Sequence, residues 1–467
     1  MNSTNHYQPI LDLIERHELD SVSFVAADLH GIARGKHIPA KRFLADPTTM
    51  VNISSFMIMM DGAGMPNPPP EGSSGWWPSW EEGFTDLRLI PDPATARLVP
   101  WQDANALVIC DYEHAENKWP LEFMPRALVR RLEDRLAGLG FRAMFSMELE
   151  WLLFRETEES AYRKGYRNMT PLSPTAQCYS LTRSGRDAPL VQPVRKALQE
   201  FGVPIEVWSA EFGPGMQEFN LTPEPATTAA DTAFLFKHAI REIASQQDLF
   251  PNFMAKPTMQ GFGNGIHINH SLWQDDKPVF YDETAADKRS RIIKQAVAGE
   301  LASLRDLTLM CCPTRNSYRR FAAHYSTGHL VGWGHDNKSI ALRTVVDSPS
   351  ACRIEHRTGG ADANPYLCIA MCLAGMAYGL ENELEPPDPV FGDGYMNESL
   401  QSVPATMAEA LDVFEQSEIA NAYLGEDFVR FYAYSRRVEL DAYNEAVGDS
   451  SEDDVSDWEL MRYADTV

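Results

Sequence analysis

Three short stretches carry acids at spacings that suit a metal ion. In "SMELEW", Glu148 and Glu150 are two residues apart, so a strand would turn both to one face. Exposed acids can do this without function, but Met147, Leu149 and Trp151 alternate with them and describe a strand with one apolar face. In "AEFGPGMQEF", Glu211 and Glu218 are separated by Gly213-Pro214-Gly215, which forbids a continuous helix and places the two acids on either side of a turn. Carboxylates brought that close repel unless a cation or a proton joins them. Oxygen donors of this kind suit Mg²⁺ or Mn²⁺ rather than zinc. In "CRIEHRT", Arg353, Glu355 and Arg357 alternate, so a strand would put a carboxylate between two guanidiniums. A salt-bridge ladder would do this, and so would a metal ligand beside arginines that hold phosphate and carboxylate groups.

Two further stretches complete the set. "GFGNGIHINH" places His267 on a strand after Gly261, Gly263 and Gly265, whose missing side chains let a ligand approach the backbone. Arg343 in "SIALRTV" adds another cation. Five glutamates, one histidine and several arginines suit phosphoryl transfer, in which metals bridge phosphate oxygens and arginines stabilise the charge on the transferring group. "NSYRRFAAHYSTGH", Asn316 to His329, carries adjacent arginines, two histidines and several hydroxyls, but no acid. Pro313 ahead of it should end a helix, so the segment reads as a loop.

The elements that must position these residues follow from pattern. "QPILDLIERH" has the spacing of a surface helix, and "VSFVAADLHGIARGKHIP" reads as two strands around a turn at Gly31. Residues 61–83 form a Pro/Gly/Trp-rich loop, in which Trp76, Trp77 and Trp80 either line an apolar pocket or simply pack. The long helix "PRALVRRLEDRLAGLG" marks a new unit, with a boundary near residue 117 that divides 1–117 from 118–467. Beyond it, "FRAMFSMELEWLLF", "PIEVWSAE", "MQEFNLTP", "GIHINHSLW", "KSIALRTV" and "ACRIEHRT" are strand-like. "AADKRSRIIKQAVAGELASLRDLTLM" and "ATMAEALDVFEQSE" are helical. The mixture lacks the alternation of a doubly wound sheet and predicts an α+β chain with an antiparallel or mixed catalytic sheet.

Bulk properties narrow the function. Lys+Arg is 41 and Asp+Glu is 66, a net charge of -25, which argues against nucleic acid or an anionic membrane as partner. Seven cysteines without a CxxC pair argue against a disulfide framework or zinc ribbon. Cys368 and Cys372 in "YLCIAMCLAGMAYGL" read as a buried helix face, too short to span a membrane. The N-terminus has no signal-peptide pattern, so a reduced cytoplasm is the expected location.

Read in order, these motifs resemble the glutamine synthetase family over essentially the whole chain. They run from "DLHGIARGKHIP" and "DLRLIPDPAT" through "MELEW", "AEFGPGMQE", "FMAKPTMQGFGNGIHIN" and "NSYRR" to "RIEHRTGGADANPYL" and "VSDWELMRY". The resemblance implies a small N-terminal β-grasp domain and a large catalytic domain with a curved antiparallel sheet. It implies a homo-oligomer, a dodecamer of two hexameric rings, with each site completed by the neighbouring subunit's N-terminal domain. It also implies ATP as substrate and two or three Mg²⁺ or Mn²⁺ ions per site. By resemblance, Glu150, Glu211 and Glu218 would hold the metal nearer glutamate. Glu148, His267 and Glu355 would hold the metal at the nucleotide phosphates. Gly263, Arg320 and Arg357 would bind glutamate; Arg343, Arg353 and Lys338 would face the phosphates; Glu206 and Ser271 would lie near the nucleotide.

The acid-free loop matches the family's flap, where glutamine synthetases carry a glutamate that helps trap ammonium. Here Ser326 follows Tyr325, so that charge is missing while the arginines remain. Its loss favours a larger amine, and the resemblance turns towards ligases that join glutamate to polyamines or other primary amines. A base must deprotonate such an amine. Asp61 in "MMDGAGMP" is the preferred match to the family's amine-site acid, and "EGSSGWW" points to Glu71 instead. Putrescine or another polyamine is the preferred acceptor. A monoamine such as ethanolamine or an alkyl or aromatic amine comes next, then ordinary glutamine synthesis. A catalytically inactive scaffold would have lost metal ligands, and all six positions are filled.

Overall fold

The structure, a computed structural model, describes residues 6–48, 51–69, 72–73, 76–323, 327–448 and 454–467. Among them, β1 (Ser21–Ala27), β2 (Ala33–Pro39), β3 (Val51–Ser54), β4 (Asp86–Pro91), β5 (Arg97–Leu98) and β6 (Asn105–His114) form a six-stranded sheet in the order β2-β1-β6-β4-β3, with β5 beside β6. β1 and β6 are parallel and the other pairs antiparallel. The turn between β1 and β2 is closed by Asp28, whose Oδ1 accepts the His30 and Ile32 amides at 2.9 Å, and Gly31 takes φ +81° there. The helix Gln8–His17 buries Ile10 and Ile14.

A ten-stranded sheet carries the acidic motifs. Its strands are β7 (Arg142–Phe154), β8 (Ile205–Ala210), β9 (Met216–Leu221), β10 (Glu224–Pro225), β11 (Phe250–Asn252), β12 (Ile266–Gln274), β13 (Lys277–Pro278), β14 (Trp333–His335), β15 (Leu342–Val345) and β16 (Arg353–His356). The main order is β14-β15-β16-β12-β7-β9-β8, antiparallel except between β14 and β15. This is the expected α+β architecture.

Alternation gives the sheet two unlike faces. Met147, Leu149, Trp151, Ile266, Ile268 and Ile354 are fully buried. Helices Pro125–Gly138 and Ala226–Ser245 pack against β7, and Arg291–Cys311 packs against β16. That last helix meets Pro365–Glu381 backbone to backbone. A Cβ on Gly379 would lie 2.0 Å from the Gln295 carbonyl oxygen, and one on Gly299 would lie 2.1 Å from that of Gly375. Cys368 and Cys372 are buried in this layer, as the apolar run predicts. No helix among the described residues is long and apolar enough to cross a membrane.

The structure corrects the sequence at two places. The stretch read as a loop begins as a helix, Arg315–Arg319, followed by a 3₁₀ turn, Arg320–Ala323. Thr314 caps it: its hydroxyl accepts the Ser317 amide at 3.2 Å while Ser317 Oγ accepts the Thr314 amide at 3.1 Å. The break at Pro313 is therefore followed at once by a new helix start. Second, the pattern beginning at "AADKRS" becomes helical only at Arg291, where Ser290 accepts the Ile293 amide.

Candidate active site

Strand register gathers the acids. In antiparallel β7 and β9, Glu150 lies directly opposite Glu218, and Glu148 opposite Asn220. On the other side of β7, His267 of β12 is opposite Glu148. Further along, Glu355 of β16 is opposite Asn269 of β12 and Arg343 of β15. Five strands thus turn one row of charge towards a cavity of about 590 Å³. All six candidate metal ligands line it, together with Gly263, Arg320, Lys338, Arg343 and Arg357.

Two groups of donors lie close enough to share an ion. Ligand atoms of Glu148, His267 and Glu355 fall within 4.8 Å of one another, as do those of Glu150, Glu218 and His267. His267 Nδ1 is 3.1 Å from Glu148 and 3.7 Å from Glu355. Glu211 stands at the turn before β9, where its Oε2 accepts the Phe212 amide at 3.2 Å and the Cys178 thiol at 3.5 Å.

The electrostatics show a site short of positive charge. Burial, then the charges of Glu148, Glu150 and Glu211, push the Glu218 carboxyl up to about 9. Burial and Glu150 raise Glu211 as well. Burial also opposes ionisation of Glu148, but the hydrogen bond and charge of His267, the Asn269 amide and Arg357 outweigh it and hold that group low. Like charges directly across a strand pair destabilise a sheet. The Glu150–Glu218 pair makes sense for folding only if a cation or proton sits between them, so the donor set fits hard divalent ions.

The arginines sort differently from expectation. Glu355 is bracketed by Arg357, which donates to Oε1, and by Arg343, whose Nη1 donates to Oε2 at 2.5 Å. Arg353, expected in that role, donates to Asn269 Oδ1 at 2.9 Å and to the Ala351 carbonyl at 3.0 Å. Arg343 reaches Glu355 from directly across the strand pair, while the Arg353 guanidinium is held by Asn269 and Ala351. Arg343 also pairs with Asp336 at 2.5 Å. Arg320 is buried, with Nη1 on the Thr358 carbonyl at 2.8 Å and Nη2 on that of Arg357 at 3.2 Å. A Cβ on Gly263 would stand 2.4 Å from the Ala255 carbonyl oxygen and 3.0 Å from Arg320 Cγ, so only glycine fits without a shift.

Other expected residues stand outside the cavity lining. Glu206 is exposed at a bulge in β8, and Ser271 accepts the Trp273 indole at 3.0 Å. Asp61 is buried in its own turn. Its Oδ1 accepts the Ala63 and Met65 amides at 2.9 Å, and its Oδ2 takes Asn67 at 3.1 Å and pairs with Arg462 at 2.9 Å. Glu71 and Ser326 lie outside the described residues. Trp76 packs on Phe431 and Tyr434, and Trp77 on His114 and Trp119, lining a different cavity. The sequence reading did not pick out Tyr179, Phe212, Met216, Phe262 or Thr327, all of which line the acidic cavity. Phe212 and Phe262 each adjoin a chosen residue, Glu211 and Gly263, and that adjacency was the available signal.

Comparison with known proteins finds similarity along most of the chain. The glutamine synthetase catalytic domain matches residues 122–463. The chain is 32% identical over 465 residues to a glutamate–isopropylamine ligase of Pseudomonas sp, covering 98% of each. It is 33% identical over 458 residues to a gamma-glutamylethanolamide synthetase of Streptomyces coelicolor, covering 96% of this chain and 94% of that one. Among solved structures, apo GmaS superposes with a TM-score of 0.80 at 22% identity, covering 96% of this chain and 98% of the other.

Proposed function

The chain belongs to the glutamine synthetase family, and we propose that it is an ATP-dependent ligase joining the γ-carboxylate of glutamate to a primary amine through γ-glutamyl phosphate. The observation that carries this is the acidic row on the catalytic sheet, with Glu150 facing Glu218 and Glu355 held between two arginines. When bound, two or three Mg²⁺ or Mn²⁺ ions at Glu148, Glu150, Glu211, Glu218, His267 and Glu355 supply Lewis-acid neutralisation of phosphate and carboxylate oxygens.

The chain's own residues do the rest. Arg320, Arg357 and the backbone at Gly263 hold glutamate so that its γ-carboxylate is presented to ATP. Arg343, Arg353 and Lys338 face the phosphates, with Glu206 and Ser271 nearer the nucleoside. The carboxylate oxygen bonds to the γ-phosphorus as the bond to ADP breaks, and fixed guanidiniums stabilise the charge on the transferring group. The amine nitrogen then bonds to the acyl carbon and phosphate leaves. The ammonium proton passes to a carboxylate, Asp61 or Glu71, brought from a neighbouring subunit of a ring-shaped dodecamer. The committed hydrogen bonds of Asp61 within its own chain make Asp61→Asn beside Glu71→Gln the informative pair.

For the acceptor, the absent flap acid at Ser326 supports an amine larger than ammonia. The acceptors named by the two relatives support a monoamine ahead of a polyamine. In the same reading the chain divides near residue 117 into an N-terminal and a catalytic domain and works in the cytoplasm. Glutamate-dependent positional isotope exchange in labelled ATP, with amine withheld, tests the intermediate. Its absence would remove γ-glutamyl phosphate from the scheme.

A further inference from the structure

Phe212 and Phe262 expose 52% and 48% of their surface although both are large and apolar. Their rings lie 5.3 Å apart, tilted by 30°. Neither belongs to a core cluster of the described residues. Both instead line the acidic cavity. Phe212 follows Glu211 and donates its amide to that carboxylate, and Phe262 precedes Gly263, where a Cβ would press on Arg320. Exposed aromatic surface is unfavourable in water. Two such rings in a cavity wall suit an apolar body.

We infer that Phe212 and Phe262 wall the acceptor subsite and select a primary monoamine with an apolar substituent, an assignment that rests on the ligase reading above. The acceptor directs its amine nitrogen to the acyl carbon, and the ring faces offer apolar surface to the rest of the molecule. Its hydrocarbon part lies against the two rings, extended by Met216 and Tyr179, which line the same wall.

A diamine fits this wall poorly. Among the described residues lining the cavity, the carboxylates are Glu148, Glu150, Glu211, Glu218 and Glu355, all of them candidate metal ligands. With its reacting amine directed to the acyl carbon, putrescine would leave its distal ammonium against aromatic carbon, and among the described lining residues no carboxylate outside the metal-ligand set would pair with it. Desolvating an unpaired cation is costly, so this wall selects against diamines as well as for apolar monoamines.

The test uses the full-length enzyme with glutamate, Mg-ATP and an acceptor series of hydroxylamine, methylamine, isopropylamine, benzylamine and putrescine. In the unaltered enzyme, kcat/KM for isopropylamine or benzylamine should exceed that for putrescine by at least about tenfold, the scale on which apolar pockets discriminate. In the double variant F212A/F262A, the apolar amines should lose at least about tenfold more than methylamine, mainly through KM. The milder F212L/F262L keeps apolar bulk and should lose benzylamine more than isopropylamine. Putrescine outpacing the apolar amines would overturn the assignment, and so would an equal loss for every amine. A shift of assembly mass in the variants together with uniform loss would show that the rings are an intersubunit contact instead. If hydroxylamine and putrescine react and apolar amines do not, only this inference fails. If no acceptor supports phosphate release, the ligase reading itself falls.

Discussion

Adding a divalent cation to the metal-free protein should expel a proton from Glu218. Burial and three neighbouring glutamates hold that carboxyl at about 9, so at pH 7.5 about 97% of molecules carry the proton. A metal binds the ionised form, and each site should release roughly one proton on loading at that pH. Between pH 6.5 and 8.5 the ionised fraction rises roughly 75-fold for a group at about 9, and apparent affinity should rise with it before flattening above that value. The sign for folding runs the other way. The unfolded chain gives up this proton in the ordinary carboxylate range while the folded chain keeps it, so metal-free stability should fall as pH rises towards 9. Calorimetric titration of Mn²⁺ in PIPES and in Tris reads the proton directly, because the two buffers differ in ionisation enthalpy. Glu218→Gln should bind more weakly, with its share of the proton release and of the pH slope gone. Buffer-independent heats, with affinity unchanged from pH 6.5 to 8.5, would refute the claim that repulsion between these carboxylates prepares the site for a cation.

Three other perturbations have definite outcomes. Gly263→Ala puts a methyl 2.4 Å from the Ala255 carbonyl oxygen and against Arg320, so kcat/KM for glutamate should fall on the order of 100-fold, read from initial rates. Gly379→Ala forces two helices apart where a Cβ would be 2.0 Å from the Gln295 carbonyl oxygen. It should cost about 3 kcal/mol or more, seen as a lower thermal midpoint and less soluble protein. Ser326→Glu returns a carboxylate to the flap, worth about 1 to 4 kcal/mol beside an ammonium depending on local dielectric, so the ratio of ammonium to larger-amine turnover should rise at least about fivefold.

The period of a strand made much of this site legible. Glu148 and Glu150 share a face because successive side chains alternate, and the glycines and proline between Glu211 and Glu218 announced the turn that Gly215 closes at φ +75°. What alternation cannot supply is register. That Glu150 faces Glu218, and that Arg343 rather than Arg353 clamps Glu355, depends on pairing between segments far apart in the chain. Local signals also misled where a stronger term won. The helix Arg315–Arg319 was hidden by the proline before it, although Thr314 and Ser317 form its capping box. Phe212 and Phe262 were invisible as a pair because fifty residues separate two rings that the fold sets 5.3 Å apart.

An amine larger than ammonia as acceptor is the part of this proposal most open to direct test. Phosphate release from Mg-ATP and glutamate should be measured with ammonium, isopropylamine, ethanolamine, benzylamine, putrescine and spermidine, and the product mass should identify the amide. Turnover should depend on both glutamate and amine, give a γ-glutamyl monoamide as product, and leave ammonium well behind. Ammonium as the fastest acceptor, with glutamine as the product, would contradict it.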